Sequence, residues 1–146
     1  MFTEWKFSEA RASFTEVVDR AQRFEIPVIQ PRKKSEDFSA LLRRDLLKAL
    51  LDKDQVTAFS VEFFSEDDGS VTVSVDPFGI IVNGETREKA IDNAVDDVID
   101  YAKEYFEPEN FLLYSRSPNR RSHLALVVKV LLSDSEEQVK GLLNLA

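Results

Sequence analysis

Residues 7–34 read FSEARASFTEVVDRAQRFEIPVIQPRKK, which predicts a helix, a strand and a basic turn in that order. Ser8 is a good N-cap, because its hydroxyl can accept hydrogen bonds from the free backbone N–H groups of the first helical turn. The helix is expected to continue to Phe24, and its apolar positions recur at three- and four-residue steps: Ala10, Phe14, Val17, Val18 and Ala21. A short strand before this stretch and the apolar run 26–30 after the helix complete a β-α-β unit.

Arg11 lies off the apolar face, in the first turn of the predicted helix, where the helix dipole slightly disfavours a cation. A bound phosphate would account for it, since backbone N–H groups and a guanidinium can hold the same anion at a helix N-terminus. The alternative is a solvated surface arginine. Arg32, Lys33 and Lys34 are three adjacent cations, and such a run faces either solvent or an anion.

Beyond this stretch the sequence predicts one more strand and one more helix before a linker. Pro27 favours an edge position, or the first residue of its strand, because proline cannot donate to a sheet ladder. A third strand is expected near Phe38–Leu42. Leucines at helical spacing then predict a short helix, and these are Leu46, Leu47, Leu50 and Leu51. Lys53-Asp54-Gln55 is interpreted as a short linker.

These residues resemble the N-terminal, DNA-binding half of the Phd/YefM (prevent-host-death) antitoxins, in which a Ser-Glu-Ala-Arg helix start precedes a strand that ends in arginine. The family commonly has glycine in the turn after that strand, and this chain has none there. The resemblance implies a dimer that represses its own operon and holds a partner toxin inactive. It also implies the DNA-contacting residues, which are Ser8, Arg11, Arg32, Lys33 and Lys34.

The composition is consistent with a cytoplasmic regulatory protein. The 146 residues include no Cys, which excludes disulfides and thiolate zinc sites. There is no apolar run long enough to span a membrane and no signal-peptide pattern. The net charge of -8 is divided unevenly: residues 1–56 hold 11 Lys/Arg against 10 Asp/Glu, and residues 57–146 hold 8 against 17. The first part could approach a phosphate backbone, whereas the acidic part would suit a basic partner.

The second half begins with a predicted hairpin. Residues 59–63 and 71–75 alternate apolar and polar side chains, and Gly69 in the turn between them can adopt a positive φ. Residues 80–82 are expected to form a short buried strand. Thr86 is the predicted N-cap of a long helix whose apolar spacing continues to about residue 106.

Two pieces of this half resemble the HicB-type antitoxin fold, a degenerate ribonuclease-H-like β-β-β-α unit. FFSEDDGSVTV at residues 63–73 is similar to that family's acidic turn between strands. GETREKAIDNA at residues 84–94 is similar to its Gly-Asp-Thr-x-x-Glu-Ala helix entry, with Glu85 in place of Asp and Lys89 in place of the acidic residue.

Together the two resemblances imply an α+β protein of two domains. Residues 1–55 would be a Phd/YefM-like β-α-β-β-α domain for DNA binding and dimerisation. Residues 56–146 would be an acidic, HicB-like β-β-β-α domain that binds the partner, followed by a C-terminal helical extension. No cofactor is expected in either domain.

The C-terminal extension has a less regular apolar pattern, so its secondary structure is harder to predict. Residues 111–114, which are Phe-Leu-Leu-Tyr, could be a strand or an extended arm. Residues 124–132 are apolar nearly throughout, and periodicity cannot separate helix from strand there, although we favour helix. Ser133 or Ser135 should cap a final helix. His123, the single histidine of the sequence, is interpreted as a surface or partly buried residue.

Asp92, Asp96 and Asp100 are spaced i, i+4 and i+8 on one face of the long predicted helix. Like-charged pairs at this spacing repel by a few tenths of a kcal/mol each. The stripe could be a solvated surface, a contact for a basic toxin, or part of the carboxylate set that a two-metal nuclease requires. The other acidic candidates, at 67, 68 and 76, occupy predicted turns, where acids are ordinary residues. We therefore expect neither a bound metal nor an enzyme.

Two function classes remain. The first is the antitoxin of a bacterial type II toxin–antitoxin system, whose partners would be a cognate toxin protein, operator DNA and further copies of the chain in a homodimer or higher homo-oligomer. The alternative is a stand-alone transcriptional regulator or adaptor that keeps the antitoxin fold without a toxin partner. A metal-dependent nuclease is a third, disfavoured class.

Overall fold

The computed structural model describes residues 2–52 and 58–145. The chain divides into two compact units, Met1–Lys53 and Asp54–Ala146, here called the N-terminal and C-terminal units. Both combine small sheets with helices, so the predicted α+β class is confirmed at this level. The predicted linker Lys53-Asp54-Gln55 lies outside the described residues. No helix within the described ranges is long and apolar enough to cross a membrane.

The N-terminal unit is a three-stranded sheet with helices. Its elements in chain order are β1 Phe2–Trp5, α1 Phe7–Ala12, α2 Phe14–Gln22, β2 Ile26–Ile29, β3 Ser39–Ala40 and α3 Arg44–Asp52. The strand order is β1-β2-β3. β1 and β2 are parallel, whereas β2 and β3 are antiparallel.

The expected single helix is two helices, and Ser8 is not its N-cap. Lys6 occupies the cap position with an extended backbone, and no side chain caps the helix. Because α1 begins two residues earlier than predicted, Ser8 lies inside the first turn. Arg11, which was expected in the first turn, lies in the last turn of α1, where the helix dipole favours a cation. The break falls at Ser13, whose φ of -121° and ψ of 39° are not helical. Backbone hydrogen bonds still pass through it, since Ser13 N–H donates to the carbonyl of Glu9 at 3.0 Å.

The positions of Pro27 and Phe14 also differ from the prediction. Pro27 lies in the central strand β2 rather than at an edge. It is tolerated because pairing with β3 ends beside it: Leu41 N–H donates to the Pro27 carbonyl at 2.9 Å, and β3 stops at Ala40. The ladder therefore does not use the N–H that proline lacks. Of the predicted apolar face, Ala10, Val17 and Ala21 are buried, whereas Phe14 is exposed.

The C-terminal unit is an antiparallel sheet followed by helices. Its elements are β4 Ser60–Ser65, β5 Val71–Asp76, β6 Ile80–Gly84, α4 Arg87–Tyr105, α5 Pro108–Tyr114, a 3-10 turn Arg121–His123, α6 Leu124–Leu131 and α7 Glu136–Leu142. The strand order is β4-β5-β6. The core lies between one face of the sheet and α4, which α6 and α7 also contact.

Several local predictions in this unit are confirmed. Gly69 has a φ of 87° in the hairpin turn. The Thr86 hydroxyl accepts from Lys89 N–H at 3.1 Å and caps α4. Residues 124–131 are helical, and of the two candidate caps it is Ser135 that caps α7, accepting from Gln138 N–H at 3.2 Å.

Two predictions in this unit are wrong. Residues 111–114 belong to helix α5, not to a strand or arm. Pro108 at the start of the helix favours it, and Phe111 and Tyr114 share one face that packs on Tyr105, with ring centroids 6.4 and 5.6 Å away. β6 is not a buried strand, because Ile81 points to solvent while its neighbours Ile80 and Val82 pack against the core.

Candidate functional sites

The start of α1 and the turn after β2 meet at one edge of the N-terminal sheet. Trp5 and Ile29, the last residues of two parallel strands, are register partners, and Gln30 N–H donates to the Trp5 carbonyl at 2.9 Å. The chain leaves this edge into α1 on one side and into the basic turn on the other. We call the predicted DNA-binding residues of α1 and of the basic turn together the basic edge, namely Ser8, Arg11, Arg32, Lys33 and Lys34.

Arg32 provides the contact between the two parts of the basic edge. Its guanidinium carbon lies 5.9 Å from the centroid of the Phe7 ring, the first residue of α1. An Nη of Arg32 also lies 3.7 Å from the carboxylate of Glu36 in its own turn. All five residues of the basic edge are exposed. The edge therefore presents four cations and the free N–H groups of a helix start to solvent.

Phe7 is a residue of this site that sequence reasoning missed. It is an aromatic side chain at the first position of a helix, and apolar spacing did not include it. Its role follows from the pairing of β1 with β2, which brings residue 32 back to residue 7. The signal available in the sequence was an aromatic residue directly before the predicted cap Ser8.

The acidic stripe on α4 is present as predicted, and all three of its aspartates are exposed. Asp92 also has a partner from another helix: its Oδ1 lies 3.3 Å from Nζ of Lys140 on α7. Lys140 lies at the same distance, 3.3 Å, from Glu137, and hydrogen bonds to these two carboxylates raise the pKa of its ammonium group. The stripe therefore ends in an ion pair at its N-terminal end, a contact that helical spacing alone did not predict.

The other carboxylates do not converge with the stripe. Asp68 accepts hydrogen bonds from the Ser70 hydroxyl at 2.6 Å and from the Ser70 N–H at 2.9 Å, and these lower the pKa of Asp68. Asp68 thus closes the hairpin turn. Within residues 2–52 and 58–145, no group of three or more His, Asp or Glu side chains is placed to hold a metal ion.

His123 is buried, which corrects the expectation of a surface or partly buried side chain. Its Nδ1 lies 2.6 Å from the hydroxyl of Tyr101 on α4. Which of the two groups donates in this hydrogen bond depends on the ring nitrogen that carries the proton. Burial, and then the nearby Arg120 guanidinium, lower the pKa of His123.

This histidine should make the C-terminal unit less stable in mild acid. Because the folded-state pKa lies below the usual 6.5, the unfolded chain takes up a proton first, and stability falls as the pH drops below 6.5. Urea unfolding of the full chain above and below this pH measures the loss. His123→Gln removes the titrating ring and keeps a side chain that can hydrogen bond to Tyr101, so this variant should flatten the dependence. An equal slope in the variant and the parent would contradict the assignment.

The described structure is thus that of a two-unit α+β protein whose candidate sites are charged surfaces rather than an enclosed catalytic centre. The model of the PHD-like family, described as "Antitoxin of toxin-antitoxin, RelE / RelB, TA system", matches residues 1–145. The chain belongs to this antitoxin family. The match crosses both units, and the family and fold point to a regulatory protein rather than an enzyme.

A solved structure gives the same indication. The chain is similar to a crystal structure from Syntrophomonas wolfei subsp. wolfei that is described as the antitoxin part of a proposed toxin/antitoxin system. Sequence identity is 28%, the TM-score is 0.71, and the similarity covers 95% of this chain and 94% of that chain. No curated protein matches the chain.

Proposed function

We propose that the protein is the antitoxin of a type II toxin–antitoxin system that neutralises a cognate protein toxin and represses its own operon by binding operator DNA as a dimer. Membership of the antitoxin family supports the first activity. The observation that carries the second is the meeting of the α1 start and the basic turn at one sheet edge, with Arg32 on the Phe7 ring. Both activities would take place in the cytoplasm.

The basic edge is suited to DNA because it combines two kinds of contact. A helix N-terminus offers backbone N–H groups and a positive dipole end to a phosphate. Arg11 and Arg32 add planar guanidinium groups that can bind a phosphate or a guanine edge with two hydrogen bonds. Lys33 and Lys34 add positive charge without base specificity. We assign base or phosphate contacts to the arginines and phosphate contacts to the lysines.

Dimerisation through the N-terminal unit is supported by its incomplete burial. α3 has an amphipathic pattern, yet it contains no buried residue. Leu50 is exposed, as are Phe24 and Phe38. A unit of about 50 residues with so little buried surface is marginal by itself, so a second copy that covers α3 would stabilise it.

We assign the two activities to different parts of the chain, a Phd/YefM-like domain at residues 1–55 and a HicB-like domain at residues 56–146. The observed strand and helix orders support these finer similarities. The acidic C-terminal part would attract a basic, RNA-directed toxin, and Asp92, Asp96 and Asp100 on α4 add to that attraction. The exposed, solvated carboxylates support action by binding instead of catalysis.

Co-expression with the adjacent gene tests the proposal. The adjacent gene alone should arrest growth, and the full chain supplied on a second plasmid should restore it. The same chain should bind the DNA upstream of its own gene. Operator binding without any toxic neighbour would instead support the stand-alone regulator. If the chain neither restores growth nor binds this DNA, both functions are contradicted.

A further inference from the structure

The C-terminal sheet has one face against the core and one face open to solvent. Val73 and Val75 point toward α4 and are fully buried. Alternate residues point the other way, and the strand register arranges them in rows. Glu62, Ser74 and Ile81 form one row across the three strands, and Phe64, Thr72 and Asn83 form the next. We call these six residues the outer sheet face.

Two large apolar side chains stand on this face. Ile81 is 72% exposed and Phe64 is 47% exposed. Between them on β5 lie the small side chains of Thr72 and Ser74. The Asn83 side chain donates to the Thr72 hydroxyl at 3.1 Å, which occupies these polar groups with each other. The result is two apolar projections among small polar side chains, and exposed apolar side chains with a polar surround are typical of interaction sites.

The charge around this face selects the chemistry of its partner. Residues 58–86, which include the whole sheet and its turns, hold six Asp or Glu and no Lys, Arg or His. The next residue, Arg87, lies 3.7 Å from the ring of Phe63, whose strand partner Val73 faces the core and not the outer face. Glu62 lies on the face itself, and Asp76 lies at its end opposite Ser60. A second copy of this face would bring like charges together, and nucleic acid would be repelled. The complementary partner is a protein surface rich in Lys and Arg.

Two other exposed surfaces among residues 58–145 fit a basic partner less well. The α4 stripe carries charge, but its Asp92 is already paired with Lys140. α5 exposes Leu112 and Leu113 to 60% and 66%, but the chain that follows it contains three arginines, at 116, 120 and 121. Because α5 itself carries Glu109 in its first turn, the charge beside these leucines is mixed, and the surface suits a basic partner less well than one without cations.

We propose that the outer sheet face is the docking surface for a basic protein partner, with Phe64 and Ile81 buried in the contact and Glu62 and Asp76 facing its cations. The inference rests on the proposed function in identifying that partner as the toxin. The α4 stripe then acts at longer range, by attracting the toxin before contact. Anchors that leave water on binding slow dissociation, whereas long-range charges speed association.

The test is binding kinetics between the full-length chain and the purified product of the adjacent gene. The Phe64→Ala, Ile81→Ala double variant should weaken affinity by about tenfold or more, mainly through faster dissociation. The Leu112→Ala, Leu113→Ala double variant is the matched control and should stay within about twofold of the parent, since it truncates side chains outside the contact. Glu62→Gln should reduce the salt dependence of association.

The outcomes separate this inference from the proposed function. If the parent protein does not bind the adjacent gene product, the antitoxin proposal fails, and the docking proposal fails with it because the toxin is the partner that it names. If the parent binds and the Phe64→Ala, Ile81→Ala variant binds equally well, the docking surface is wrong while the antitoxin proposal stands. Ile81→Thr keeps a β-branched side chain in the strand, so a faster dissociation in this single variant supports the proposal independently of any folding defect in the double variant.

Discussion

The Arg11→Ala, Arg32→Ala double variant should lose about a hundredfold or more in affinity for the DNA upstream of its own gene, because each arginine that reads a base contributes roughly 1–3 kcal/mol. The two side chains come from segments that the β1–β2 pairing brings to one edge. Removing both takes away the guanidinium group of the last turn of α1 and the one beside Phe7 at its start. Fluorescence anisotropy with operator and scrambled duplexes measures the loss and its sequence dependence.

Arg23→Ala is the matched control for this experiment. Arg23 is an exposed cation in the same unit, but it follows α2 and precedes the start of β2. In a parallel β-α-β unit that position lies at the end of the sheet opposite Trp5 and Ile29. Its removal should change affinity little. Operator affinity unchanged in the double variant, with the fold intact by circular dichroism, would show that the basic edge does not bind DNA.

Lys33 separates phosphate contacts from base contacts in the same assay. A lysine that meets only phosphate weakens binding to operator and scrambled DNA alike, and its loss flattens the dependence of affinity on salt. Lys33→Ala should therefore lower both affinities by a similar factor. A loss confined to operator DNA would instead assign Lys33 to base recognition.

Gly84→Ala should destabilise the C-terminal unit by roughly 1–3 kcal/mol. Gly84 ends β6, where the strand comes against the first turns of α4. A Cβ at this position would lie 2.3 Å from the backbone nitrogen of Ala90 and 2.7 Å from its Cα. Both are backbone atoms next to a fully buried side chain, so relief requires the helix to move off the sheet. The Asn93 side chain, which donates to the Asn83 carbonyl at 3.0 Å, ties the same two elements together and resists that movement.

Gly141→Ala serves as the control, since it makes the same chemical change in α7, where an added Cβ meets nothing within 4 Å. Because alanine is the better helix former, this variant should be more stable than the parent by roughly 0.5–1 kcal/mol. Chemical denaturation followed by circular dichroism compares the two. A Gly84→Ala protein as stable as the parent would mean that the strand and helix do not approach as closely as described.

The sequence predicted those features that depend on neighbours a few residues away. The hairpin with its positive φ at Gly69, the Thr86 cap and the long helix behind it are set by turn chemistry, capping and apolar spacing, all of which act within one or two turns of chain. The residues of the basic edge and of the acidic stripe were also named from local patterns, and their exposure is as expected. What these residues bind is a matter for experiment.

The features that local patterns did not predict depend on contacts distant in sequence. Pro27 lies in a central strand because β3 is too short to need its missing N–H. Residues 111–114 become helical because Phe111 and Tyr114 can pack on Tyr105 from the same side. Ile81 reads as a buried strand residue, yet it faces solvent because α4 covers only the other side of the sheet.

The sequence by itself thus determined most of the local elements, the separation of charge between the two halves and the residues that we propose to contact DNA or a basic partner. Tertiary structure decided which of them come together: Arg32 with Phe7 at 5.9 Å, Asp92 with Lys140 at 3.3 Å, and Phe64 with Ile81 on one open face. The physical reason is that the hydrogen bonds of helices, turns and caps form within a short segment. Burial and ion pairing instead depend on which distant segments the folded chain brings into contact.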